Sequence, residues 1–104
     1  MKHSEGFLEM VEDAKSRIPE VTVEQTRAIL EEDKDALLID VREDNEWSAG
    51  HAEGAQHLGR GIIERDIEQT VPDKQTHIIL YCGGGYRSAL AADSLLRMGY
   101  EYVY

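Results

Sequence analysis

The apolar run His77-Ile78-Ile79-Leu80-Tyr81 breaks at once into Cys82-Gly83-Gly84-Gly85-Tyr86-Arg87-Ser88, and a small-residue amphipathic stretch begins there. A short continuous apolar run without polar alternation marks a strand buried on both faces. Leu37-Leu38-Ile39-Asp40-Val41 is a second run of this kind. Strands of this type separated by helical patterns call for crossovers, and so for a parallel sheet covered by helices. The chain is expected to be α/β.

The remaining pattern fits that frame. Phe7, Leu8, Val11, Ala14 and Ile18 recur at helical spacing, with Glu9, Glu12, Asp13 and Lys15 on the other side and Pro19 closing the helix. Thr22 followed by Gln25 forms a capping box for a second helix, whose apolar side is Val23, Thr26, Ile29 and Leu30. The acidic stretch from Glu31 to Asp35 reads as a solvated turn. The middle of the chain is turn-rich, punctuated by Gly50, Gly54, Gly59 and Gly61, with a short strand expected over Ala55 to Leu58. A helix is expected over Ile62 to Val71 and a turn at Pro72-Asp73. After the cysteine loop, Ala91, Ala92, Leu95, Leu96 and Met98 give a helix its inner face, and Gly99 ends it. Glu101 to Tyr104 reads as a last strand.

A chain of 104 residues supports one core, and its net charge of −10 argues against nucleic acid as a partner. The charge is uneven: residues 1–52 hold 14 acids and 6 bases, whereas residues 53–104 hold 7 and 5. An anionic substrate therefore meets less repulsion in the C-terminal half. The single cysteine excludes an internal disulfide and a cysteine-rich metal site. His3, His51, His57 and His77 lack metal-ligand spacing, so neither metal nor cofactor is expected. No apolar run is long enough to span a bilayer, so no membrane association is expected. The polar, acidic start of the chain gives the cytoplasm as the expected location.

The chemistry concentrates at Cys82. Ligands of open α/β sheets bind beyond the carboxyl ends of strands, where this cysteine falls. Successive glycines let backbone N–H groups converge on one point, and such a nest at a helix N-terminus favours an anion. The same groups, with Arg87, favour the thiolate, which is the nucleophilic form. A lone cysteine at a strand end is more often a small buried apolar residue. The conjunction with three glycines, Arg87, Ser88 and a following helix argues for a reactive loop.

Three segments together resemble the rhodanese-like sulfurtransferase domain over about residues 21–104. They are Leu38-Ile39-Asp40-Val41-Arg42 with Glu46 and Trp47; Gly50-His51-Ala52-Glu53-Gly54-Ala55 followed by Gly59-Arg60-Gly61; and the loop from Cys82 to Ser88. The resemblance implies a mostly parallel, about five-stranded sheet with helices on both faces; residues 1–20, outside it, are expected to form an N-terminal helical extension that packs on the domain. It implies transfer of sulfane sulfur from thiosulfate or a related anionic donor to cyanide or a thiol through a Cys82 persulfide. Gly83, Gly84, Gly85, Tyr86, Arg87 and Ser88 would bind the persulfide and the donor. Asp40 would brace the loop through Arg87, Arg42 would support the structure beside it, and Arg60 would be a second anion contact at the cleft edge. Cys82 to Arg87 spans six residues, as in the sulfurtransferase branch; the related phosphatases and arsenate reductases carry one more.

The sequence departs from the family at Gly59, where many members have proline. The family also continues beyond the last strand into a closing helix, whereas this chain ends at Tyr104. Two alternatives follow: a truncated C-terminus, or cover of the core by the helix of residues 4–18. His51 is expected to be a hydrogen-bonding residue, Trp47 a packing residue and Tyr86 part of the pocket lining. Against the sulfurtransferase stand three other functions: a persulfide carrier fed by a donor enzyme, a phosphatase-like relative and a non-catalytic binding domain.

Overall fold

The computed structural model describes residues 3–104. Its elements in chain order are α1 (Glu5–Lys15), α2 (Val23–Glu32), β1 (Leu37–Asp40), α3 (Asp44–Ala49), β2 (Gln56–His57), α4 (Ile63–Thr70), β3 (Ile78–Tyr81) and α5 (Tyr86–Arg97). The sheet has the order β2-β1-β3 and both pairings are parallel. The C-terminal segment runs along the free side of β3, where Ile78 pairs with Val103. The Tyr104 N–H donates to Ile78 O at 2.9 Å and the Leu80 N–H to Tyr104 O at 3.0 Å. Among the described residues the sheet thus has three strands and one bridged segment, not about five strands. Gly54 and Gly59 flank a pairing stretch of only two residues, and the last segment makes a single bridge.

Local chemistry sets the helix starts. The Ser4 side chain accepts from the Phe7 N–H at 3.4 Å, and the Thr22–Gln25 capping box closes with bonds of 3.1 and 2.8 Å. Helix α3 falls between the first apolar run and the turn-rich middle, in a stretch to which the sequence reading gives no element. Its N-terminal turn is held by the Glu46 carboxylate, which accepts from the Glu43 N–H at 3.1 Å.

Alternation along the strands divides the sheet into two faces. Ile39, Val41, Ile78 and Leu80 join a core with Ala14 and Ile18, with Ile63 and Ile67 of α4, and with Ala91, Ala92 and Leu95 of α5. Leu38 and Ile79 instead line a cavity shared with Val23, Thr26 and Leu30 of α2, a helix with no buried residue. Helix α1 lies on α5, where Val11 and Ala14 are buried. Arg17 locks this contact: its guanidinium donates to Asp93 of α5 at 2.8 and 3.0 Å and to Asp13 at 3.1 and 2.9 Å. No helix among the described residues is long and apolar enough to cross a membrane.

Candidate active site

Cys82 follows β3 directly and is half-buried at the carboxyl end of the sheet. Hydrogen-bonding groups of the loop surround its sulfur. The Gly85 N–H donates to Sγ at 3.1 Å, the Ser88 N–H at 3.4 Å, and Ser88 Oγ lies 3.6 Å away. The Ser88 hydroxyl accepts from the Cys82 thiol and donates to Gly85 O at 3.3 Å. Burial pushes the Cys82 thiol up. The Ser88 hydroxyl and the N–H groups of Ser88, Gly85 and Gly84 outweigh it, and the thiol is held below its ordinary value.

The curl of the loop depends on Gly85, the N-cap of α5, at φ +83°. That left-handed conformation turns the backbone so that the Gly85 N–H and the first turn of α5 face the sulfur. Arg87 and Ser88 are then the second and third residues of α5.

Arg87 is held by Glu46, with Nη1–Oε1 at 2.6 Å and Nη2–Oε2 at 3.2 Å. The Arg87 guanidinium depresses the Glu46 carboxyl to about 2, and Glu46 in turn raises Arg87 further above its ordinary value. Asp40 therefore does not reach the loop through Arg87. Its carboxylate, fully buried, accepts from Arg42 Nε at 3.1 and 3.0 Å, from Nη2 at 2.8 Å and from the Arg42 N–H at 2.8 Å. Burial pushes the Asp40 carboxyl up, and Arg42 with the Tyr81 hydroxyl reverses this, so the group is held below its ordinary value. Arg42 extends the chain of contacts by donating to Gly50 O at 2.7 Å, just after α3. Asp40 thus anchors the helix that carries Glu46, and the link to Arg87 is indirect.

Two further expectations are corrected. Arg60 does not line the Cys82 cavity; it lines a second one of about 180 Å³ with Met10, Asp13, Leu90 and Asp93 among others. It faces Glu64 at 3.3 Å, and its buried Nε has no partner among the described residues. Tyr86 does not line the Cys82 cavity; its ring stands edge-on to His3 at 4.8 Å and Phe7 at 6.0 Å. Gly83 and Gly84 are exposed, and the Arg87 Nη2 group would stand 3.7 Å from a Cβ placed on Gly83.

Trp47 packs between two imidazoles, stacked on His51 at 3.4 Å and on His57 at 4.9 Å. His51 Nδ1 donates to Trp47 O at 3.0 Å, and His57 Nε2 donates to Arg42 O at 2.8 Å. The sequence reading missed the Glu46–Arg87 clamp. It also missed Lys15, which lines the Cys82 cavity from α1. That cavity measures about 830 Å³ and combines apolar walls from Ile18, Val21, Leu38 and Ile79 with the cations Lys15 and Arg27.

A parallel sheet with a cysteine at a strand end, its sulfur met by N–H groups of the N-terminal turn of the next helix, defines an α/β domain with a cysteine loop. The chain belongs to the rhodanese-like domain family, whose sequence profile matches residues 22–104. It is 30% identical over 88 residues to YrkF, a proposed sulfur carrier of Bacillus subtilis, covering 85% of this chain and 46% of that protein. It is 34% identical over 84 residues to the tRNA uridine(34) hydroxylase of Protochlamydia amoebophila, covering 75% of this chain and 26% of that protein. The chain therefore spans less than half the length of these curated relatives. A solved rhodanese with anions from E. coli superposes with a TM-score of 0.63 at 32% identity, covering 65% of this chain and 80% of that one.

Proposed function

We propose that this domain is a sulfurtransferase that moves sulfane sulfur from thiosulfate or a related anionic donor to a thiophilic acceptor through a Cys82 persulfide. The observation that carries the reading is the convergence of the Gly85 and Ser88 N–H groups on a thiol held below its ordinary value. The Cys82 thiolate attacks the outer sulfur of thiosulfate, the S–S bond breaks, and sulfite departs with the bonding electron pair. The negative charge stays on the terminal persulfide sulfur, where the loop N–H groups stabilise it. Cyanide or a thiolate then takes that sulfur and returns Cys82 as thiolate. Arg87 supports the loop electrostatically while tied to Glu46. The loop of six residues from Cys82 to Arg87 favours this chemistry over phosphate hydrolysis.

Similarity to YrkF supports a second reading, a persulfide carrier loaded by a donor enzyme. One experiment separates the two. Under the first, incubation with thiosulfate adds the mass of one sulfur atom to the intact protein, cyanide removes it with steady turnover, and Cys82→Ser abolishes both. Loading by a cysteine desulfurase but not by thiosulfate selects the carrier. Full turnover in Cys82→Ser would overturn both.

A further inference from the structure

We propose that Lys15, carried by α1 outside the family-matched segment, is the anion-recognition residue at the mouth of the Cys82 cavity and selects donors by their negative charge. The proposal rests on the sulfur-transfer reading and adds a residue to it. Helix α1 is fixed on α5 by buried Val11 and Ala14 and by the Arg17–Asp93 pair, so the position of Lys15 is set by packing. That packing puts the ammonium group 5.4 Å over the Tyr86 ring and 3.9 Å from where a Cβ on Gly85 would stand. Gly85 is the residue whose N–H donates to the Cys82 sulfur. Lys15 and Cys82 line the same cavity together with Gly84 and Gly85.

The partners of the nearby cations differ. Arg87 is held by Glu46 through two short contacts, and neither group is fully solvated. Lys15 meets Glu20 at 3.5 Å, and the Glu20 side chain is 68% exposed. A solvated, long ion pair gives way readily to an incoming anion. The other charged side chains lining the cavity are Arg27, Glu20 and Glu53; Arg87 reaches the Cys82 sulfur but is held by Glu46, which leaves Lys15 as the loosely paired cation beside Gly85. On a chain of net charge −10, a local cation at the mouth offsets the repulsion that a dianion meets.

The test compares alkylation of Cys82 by anionic iodoacetate with alkylation by neutral iodoacetamide at one pH. The ratio of the two rates cancels the thiolate fraction and reads charge recognition alone. Lys15→Ala lowers the ratio about three- to tenfold, Lys15→Arg keeps it, and Glu20→Gln raises it. In parallel, Lys15→Ala raises the thiosulfate KM by a similar factor with kcat unchanged. An unchanged ratio in Lys15→Ala, or an equal fall in both alkylation rates, overturns the proposal. A wild-type protein that takes up no sulfur overturns the sulfur-transfer reading instead, and the alkylation ratio still decides the role of Lys15.

Discussion

At Cys82, burial and hydrogen bonding act in opposite directions, and the hydrogen bonds prevail. Ser88 contributes twice, through its N–H at 3.4 Å and its hydroxyl at 3.6 Å. The hydroxyl accepts from the neutral thiol and can turn to donate to the thiolate, so its loss removes a contact from both states, and the charged one suffers more. Ser88→Ala is therefore expected to slow iodoacetamide alkylation near neutral pH by about two- to fivefold. The pH–rate profile of the variant shifts upward toward free cysteine; a profile identical to wild type would assign the depression to the backbone alone. The sequence reading gave Asp40 and Arg60 other roles, although the partners they take leave a local trace. Residues i and i+2 of an extended chain share a face, which makes Arg42 the near partner of Asp40. Glu64 lies four residues beyond Arg60, at the start of a helix. Longer-range partners leave no such trace: Glu46 and Arg87 are 41 residues apart, and only the fold brings them together.

Among the elements, the strand–loop–helix unit around Cys82 was readable because its apolar run, its glycines and its small-residue helix are contiguous. Helix α3 escaped notice because six residues carry less than two turns of periodicity. The shortening of β2 to two residues reflects pairing, which depends on β1 and not on its own sequence. The three loop glycines are unequal in structure. Gly85 alone among them has a positive φ, at +83°, and an added Cβ there would meet Lys15 Nζ only at 3.9 Å. The cost of a side chain at Gly85 is thus conformational and not steric. Gly85→Ala is expected to lower the stability by about 1–2 kcal/mol. Gly83→Ala, whose Cβ would meet Arg87 Nη2 at an ordinary 3.7 Å, should cost less. Urea unfolding midpoints of the two variants check the ordering, and equal losses would remove Gly85 from its special place in the loop.

For the whole molecule, the net charge of −10 and the paired carboxylates make opposite demands on stability. The acidic N-terminal half is distant from the loop in sequence. In the fold, however, α1 and α2 bring Lys15, Glu20 and Arg27 to the cavity that holds Cys82. Glu46 is depressed to about 2 by Arg87. Asp13, Asp40, Asp66 and Asp93 also lie below their ordinary values, each with an arginine partner. At mildly acid pH the unfolded chain therefore binds more protons than the folded one, and stability falls as pH falls. The contribution of these groups is complete above the unfolded carboxylate values, about 4 to 4.5, and is lost as pH drops toward 2. Acid also relieves self-repulsion, which acts in the other direction. Salt separates the two, because it screens exposed like charges without protonating the pairs, the most buried of which, Asp40–Arg42, is screened least. Thermal unfolding should accordingly show a Tm that rises with sodium chloride at pH 7 and falls between pH 5 and pH 3 at fixed salt. Glu46→Gln should flatten part of the acid limb, since its charge no longer titrates against Arg87. A Tm that climbed steadily down to pH 3 would mean that self-repulsion, and not the arginine-paired carboxylates, governs the acid stability of the fold.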